Sequence, residues 1–132
     1  MSLTKSKLRD LINAPTQIRD GVIFTHLDAD DDYRYDVLVT FNLDEDTGKL
    51  QVSGYSTNMK ATGDRVSDAL LFCNKYNEEK AFLSVHYDMD DQDFNASWTM
   101  LTQGVSDEYI QQNIKIIIVC IWQFFVKAGK EF

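Results

Sequence analysis

Residues 64–100 read DRVSDALLFCNKYNEEKAFLSVHYDMDDQDFNASWTM, and the period of their apolar residues changes once, from helical to extended. Over residues 66–76, Val66, Ala69, Leu70 and Cys73 fall at i, i+3, i+4 and i+7, which places them on one face of a helix. Asp64, following Gly63, suits the N-cap, where its carboxylate accepts from a free amide of the first turn. Asn77 suits the exit, because Asn tolerates the left-handed backbone that ends helices. Beyond it, Ala81, Leu83, Val85, Tyr87 and Met89 alternate with Phe82, Ser84, His86 and Asp88, the period of a half-buried strand. Asp90-Asp91-Gln92-Asp93 supplies an acidic turn, and then Phe94, Ala96, Trp98 and Met100 alternate with Asn95, Ser97 and Thr99. The spacing predicts a helix laid on an antiparallel hairpin. It predicts architecture and no chemistry.

Upstream, Leu8, Leu11 and Ile12 mark a short amphipathic helix, with Thr4 as its cap and Ala14-Pro15 as its end. Residues 22–27 read as a first strand. In the second, Val37, Val39, Phe41 and Leu43 share one face, with Leu38, Thr40 and Asn42 on the other. Asp46-Thr47-Gly48 turns the chain into a third, with Leu50 and Val52 inward and Gln51, Ser53 and Tyr55 opposite. Downstream, Ser106 caps a last helix that opens with Asp107 and Glu108 and runs to about Ala128, where Gly129 can end it. The predicted fold is one α+β domain over residues 1–132. An antiparallel sheet has helices packed on it, in the order α-β-β-β-α-β-β-α.

A net charge of -8 over 132 residues argues against nucleic acid, whose backbone calls for a basic stripe that this sequence lacks. The same charge disfavours an anionic membrane surface. The one basic cluster, Lys5, Lys7 and Arg9, reads as a solvated helix face. Residues 114–126 are almost wholly apolar but fall short of the roughly 20 that a membrane span needs, and Lys115 and Gln123 interrupt them. With two cysteines, no disulfide framework and no secretory leader, the expected compartment is a reducing cytoplasm.

No phosphate loop, nucleophile elbow or zinc spacing occurs. A Cys–His nucleophile needs a partly exposed thiol beside the imidazole, whereas Cys73 and Cys120 both sit in apolar helical patterns, apart from His26 and His86. Carboxylates gather at three turns: Asp28, Asp30, Asp31 and Asp32; Asp44, Glu45 and Asp46; Asp88, Asp90, Asp91 and Asp93. The first set spaces oxygens as calcium loops do, yet Tyr33 stands where the loop needs Gly and Val39 where it needs Glu. Acidic residues are also ordinary turn formers. The expectation is no catalytic residue, no cofactor and no metal.

The last helix is apolar on both sides. Ile110, Ile114, Ile117, Ile121 and Phe124 share the face that covers the sheet, while Ile116, Val119, Trp122 and Val126 lie opposite. Either the first helix and the loops cover that second stripe, or a partner does. We expect a second copy, because a chain this small has little structure to spare.

The element order and the Leu70-Leu71-Phe72-Cys73-Asn74-Lys75-Tyr76-Asn77 segment resemble the YbjN family, whose fold is that of type III secretion chaperones. The segment is similar to the family's leucine-rich helix ending in two spaced asparagines. A strand from Phe82, an acidic turn and a helix after Ser106-Asp107-Glu108 follow in the same order. The family often has an Asp-Gly turn where this chain has Asp90-Asp91-Gln92-Asp93. The resemblance implies a small, acidic, dimeric, chaperone-like protein that binds extended segments of partner proteins. The family's label, sensory transduction regulator, names a role without a reaction. For Asn74 and Asn77 the physical role expected is helix termination. The functional expectation is a non-enzymatic protein-binding module, with an unidentified protein partner. The rivals are an enzyme using carboxylates and a histidine, and a weak metal-responsive switch.

Overall fold

The computed structural model describes residues 3–27, 36–56, 59, 61, 63–80 and 82–132. Asp28, Asp30, Asp31, Asp32 and Ala81 lie outside the described residues. The chain runs α1 (Lys5–Leu11), β1 (Gln17–Arg19), β2 (Val22–Leu27), β3 (Val37–Leu43), β4 (Lys49–Ser56), a 3-10 turn (Gly63–Arg65), α2 (Val66–Glu79), β5 (Ser84–Asp88), β6 (Asp93–Leu101) and α3 (Asp107–Glu131). The strands form one antiparallel sheet in the order β1-β2-β3-β4-β6-β5. The α+β architecture therefore stands, with one strand more than the sequence pattern predicts. That strand is β1, which is joined to β2 by Asp20 and Gly21 at φ 52° and 79°. Positive φ at both central residues is the two-residue hairpin turn that matches strand twist.

Strand alternation holds where it was predicted. Val37, Val39, Phe41 and Leu43 are buried, as are Leu50, Val52, Phe94, Ala96, Leu83, Val85 and Tyr87. Met89 is the exception. It lies exposed in the turn after β5 because the strand ends one residue earlier.

These buried residues line the face that the helices cover, with β3, β4 and β6 against α3 and β5 against α2. In α3, Ile110, Ile114, Ile117, Ile121, Phe124, Phe125 and Ala128 are buried. Gly54 lets α3 approach closely: a Cβ there would collide with the Ile121 Cγ2 methyl and meet Phe125 at 3.5 Å. The helix runs through Gly129 to Glu131 rather than ending there. Packing of Ala128 in the core outweighs the local cost of Gly in a helix, roughly 1 kcal/mol. At 25 residues α3 is long and apolar enough to cross a membrane by composition, and here its apolar side packs on the sheet. Ser106 Oγ accepts from the Tyr109 amide at 3.2 Å, and Thr4 Oγ1 accepts from the Lys7 amide at 3.2 Å, so both predicted caps form.

In α2 Ala69 and Cys73 of the predicted stripe are buried and Val66 is half-buried, but Leu70 is exposed and Tyr76 is buried in its stead. The helix packs along β5 at the edge of the sheet and meets α3 through its aromatic side chains. This turns Phe72 and Tyr76 toward Phe124, and Phe72 toward Phe94 and Phe132, and leaves Leu70 and Leu71 exposed. Asp64 does not cap the helix. It lies in the 3-10 turn, and Arg65 takes the cap position without a side-chain bond.

Candidate functional site

Three regions hold the residues singled out by the sequence: the acidic turns, the α2–β5 edge, and the outward side of α3. The turns come first. Asp44 Oδ1 accepts from the Asp46 and Thr47 amides at 2.9 and 3.3 Å, and Asp88 Oδ1 accepts from the Asp90 and Asp91 amides at 2.9 and 3.1 Å. The two turns use one device, an Asp side chain folding the backbone over itself. Each ends in positive φ, at Gly48 (76°) in one and Gln92 (58°) in the other. The amides donated by Thr47 and Asp46 hold the Asp44 carboxyl below its ordinary value of 3.8. Asp88, Asp91 and Asp93 bring carboxylate oxygens within 4.8 Å of one another. Three such ligands fall short of the six to eight oxygens calcium takes, and Asp88 already serves the turn.

At the α2–β5 edge the structure revises the reading of Asn77. The helix continues past it to Glu79 and leaves through Lys80, whose amide bonds the Tyr76 carbonyl. Asn77 Nδ2 donates to the Val85 carbonyl at 2.8 Å, and its Oδ1 accepts from the Val85 amide at 2.8 Å. The side chain thus occupies the backbone groups through which an edge strand would recruit another chain. Contrary to the sequence reading, neither Asn74 nor Asn77 ends the helix: both lie inside α2, and Asn77 closes a strand edge.

Burial pushes the Cys73 thiol up to about 12 and raises Cys120 as well, opposite to the shift an activated nucleophile needs. Cys73 is buried as expected, whereas Cys120 is only half-buried. Register puts His26, Leu38, Tyr55, Asn95 and His86 in one row across the sheet, on the face turned away from α3. The histidines therefore lie on the opposite side of the sheet from the buried Cys73.

The predicted stripe on α3 divides. Ile116 and Val119 are exposed, at 45% and 53%, while Trp122 and Val126 are half-buried against the edge of the core. Leu27, Ile118, Val119 and Trp122 line an apolar groove of about 330 Å³. A larger cleft of about 650 Å³ lies between α2 and the end of α3, with Phe72, Tyr76 and Phe132 among its lining residues. Its rim carries Arg65, Lys75 and Lys127 together with Asp68, Glu79 and Glu131. Arg65 is engaged there: it pairs with Asp68 at 3.2 Å, donates to the Glu131 carbonyl and lies 4.7 Å over the Phe132 ring.

No protein-family model and no curated protein matches the chain. Among solved structures, the crystal structure of YbjN from E. coli, described as a candidate transcription regulator, matches with a TM-score of 0.71. The match covers 96% of this chain and 89% of that one at 14% sequence identity. This chain has the YbjN fold. The likeness extends over nearly the whole molecule, from α1 through the sheet to α3, and it is a likeness of fold.

Proposed function

We propose that this chain is a non-enzymatic protein-binding module, regulatory or chaperone-like, that pairs with a second copy through the outward side of α3. The observation that carries the reading is the exposure of Ile116 and Val119 on a helix whose other side is fully buried. Each such residue left in water forgoes roughly 1.5–3 kcal/mol available on burial. A two-fold contact lets one stripe supply both halves of the interface, and the Leu27–Trp122 groove gives it a recess to receive the partner's side chains. Trp122 and Val126 complete the predicted patch, with Trp122 as its anchor.

A regulatory role agrees with the likeness in fold to a candidate transcription regulator. The charge of -8 directs that role toward protein contacts, since DNA contacts are made by clustered cations. The raised thiols and the separation of histidine from Cys73 support a binder over an enzyme.

Val119→Asp tests the reading. Wild type is expected to run as a dimer in light scattering at roughly 10 µM, a concentration at which a modest interface holds. The variant is expected as a folded monomer. A monomeric wild type, or a variant that remains dimeric, overturns the pairing.

A further inference from the structure

Strand β6 runs on past the end of the strand that pairs its outer side. β4 pairs it from Asn95 to Leu101, but β5 pairs it only from Asp93 to Ser97, so Trp98, Thr99, Met100 and Leu101 continue beyond Ser84. Successive residues of an antiparallel strand turn their N–H and C=O groups to opposite neighbours. The bonds on either side fix which residue turns which way. Asn77 holds both backbone groups of Val85, so Ser84 and His86 face β6, and their partners Ser97 and Asn95 face β5. The Lys49 carbonyl accepts from the Asp44 amide, so Lys49 faces away from its partner Leu101. The Thr102 amide donates to the Gly48 carbonyl, which turns Thr102, and with it Met100 and Trp98, toward β4. Thr99 and Leu101 therefore present N–H and C=O groups at the open side of β6, and among the described residues nothing bonds them there.

An open edge is a template for pairing, and proteins ordinarily blunt it with Lys, Pro, a bulge or a cover. This chain covers β5 with Asn77, yet residues 97–103, Ser-Trp-Thr-Met-Leu-Thr-Gln, carry no Lys, no Pro and no charge. The opening also has a recess. Phe82, Leu83, Ser84, Ser97, Trp98 and Thr99 line a concavity of about 340 Å³ where β5 stops, and the Phe82 ring stacks on Trp98 with centroids 6.3 Å apart. Leu101, further along, is 66% exposed. Donor and acceptor pairs on every second residue, about 7 Å apart, are matched by another extended polypeptide. The aromatic recess selects an apolar side chain on that polypeptide. At the far end, Gln103 Nε2 reaches the Asp46 carbonyl at 3.5 Å, which sets the Asp44-Glu45-Asp46 turn beside the end of β6 and favours a basic residue there. We propose that the open side of β6 receives an extended segment of a partner protein as an added strand. The segment lies antiparallel to β6, with apolar residues at alternate positions and basic residues leading it. The inference rests on the protein-binding reading above and gives that reading a site and a class of partner.

The experiment is amide hydrogen exchange and chemical-shift titration of the full chain, as wild type and as Val119→Asp, with the acetylated, amidated peptide Lys-Lys-Thr-Val-Thr-Val-Thr. Without peptide, the Thr99 and Leu101 amides are expected to exchange much faster than those of Trp98 and Met100. The peptide is expected to saturate by about 1 mM in both proteins, shifting β6 and slowing exchange at Thr99 and Leu101. Methylating the backbone nitrogens of its valines, or in a second peptide of its threonines, is expected to abolish binding in one case and spare it in the other, because an added strand pairs through one edge. Leu101→Pro removes an outward N–H without breaking a ladder bond, and is expected to weaken binding roughly tenfold or more at an unchanged melting temperature. Phe82→Ala, at an exposed position outside the ladder, is a second variant expected to weaken binding by a similar factor. The proposal is overturned if Thr99 and Leu101 are protected in the free protein, if the peptide does not saturate, or if a peptide led by two glutamates binds equally well. Methylation that blocks in both peptides or in neither overturns it too, as does Phe82→Ala binding like wild type. If the same amides move on concentrating the protein without peptide, the edge is a contact between copies and the proposal falls. Shifts confined to α3 overturn this site and leave the protein-binding reading standing. A monomeric wild type that takes up the peptide at β6 overturns the pairing through α3 and upholds this site.

Discussion

Asn77 and Gln92 each hold the fold at a point where sequence pattern alone suggests something else. Asn77 satisfies both backbone groups of Val85, on one edge strand of the sheet. Removing its amide leaves a donor and an acceptor dependent on water reaching a part-buried site. Asn77→Ala is therefore expected to destabilise by about 1–3 kcal/mol in urea denaturation. Asn77→Asp keeps the acceptor but sets a carboxylate oxygen against the Val85 carbonyl, and is expected to be at least as destabilising. Gln92 holds φ at 58°, where the equivalent position of the β3–β4 turn has Gly48. A left-handed conformation costs a residue bearing a Cβ about 1–2 kcal/mol, part of which Gly returns as lost chain entropy. Gln92→Gly is expected to stabilise by about 0.5–1 kcal/mol, read as a higher urea midpoint with unchanged slope.

At the scale of elements, α3 and β4 are matched to each other. Gly54 lies opposite Ile121 and Phe125, so the helix approaches the strand where the side chain is missing. A strand interior otherwise disfavours Gly, which marks the position as one of close approach. Gly54→Ala is expected to cost about 1–3 kcal/mol by forcing helix and sheet apart. A paired Ile121→Ala substitution is expected to make the double variant lose less than the sum of the two single losses, because it removes the Cγ2 methyl nearest the added carbon. Thermal melts of the two single variants and the double variant measure the coupling; simple additivity would place the strain elsewhere.

Across the described residues, the helices pack on one face of the sheet. The two cysteines report on how firmly that layer is held. Cys73 lies within it, with its thiol pushed up to about 12, whereas Cys120 is half-buried on α3. A thiol reagent at neutral pH is expected to modify Cys120 in the native state. It is expected to reach Cys73 only at the rate of global opening. Mass spectrometry of partly labelled protein gives the order, and equal rates would show that α2 opens independently of the sheet.

The sequence by itself determined the alternation of β3, β4, β5 and β6, the caps at Thr4 and Ser106, and the buried face of α3. These follow from period and from local side-chain-to-backbone bonds, which act within a few residues. Strand β1 escaped the pattern because it spans only Gln17–Arg19, too short for alternation to register. Tertiary structure alone decided that Tyr76 rather than Leu70 completes the buried side of α2, what Asn77 bonds, and that α3 continues through Gly129. It also brought Thr40, Ser53 and Ser97, from three separate strands, into one row. Each depends on groups distant in sequence: a neighbouring helix, an open strand edge, a core position one turn away. For the candidate surfaces the division is the same. Periodicity located Ile116 and Val119, while the open side of β6 emerged only when its register with β4 and β5 set where each neighbouring strand stops.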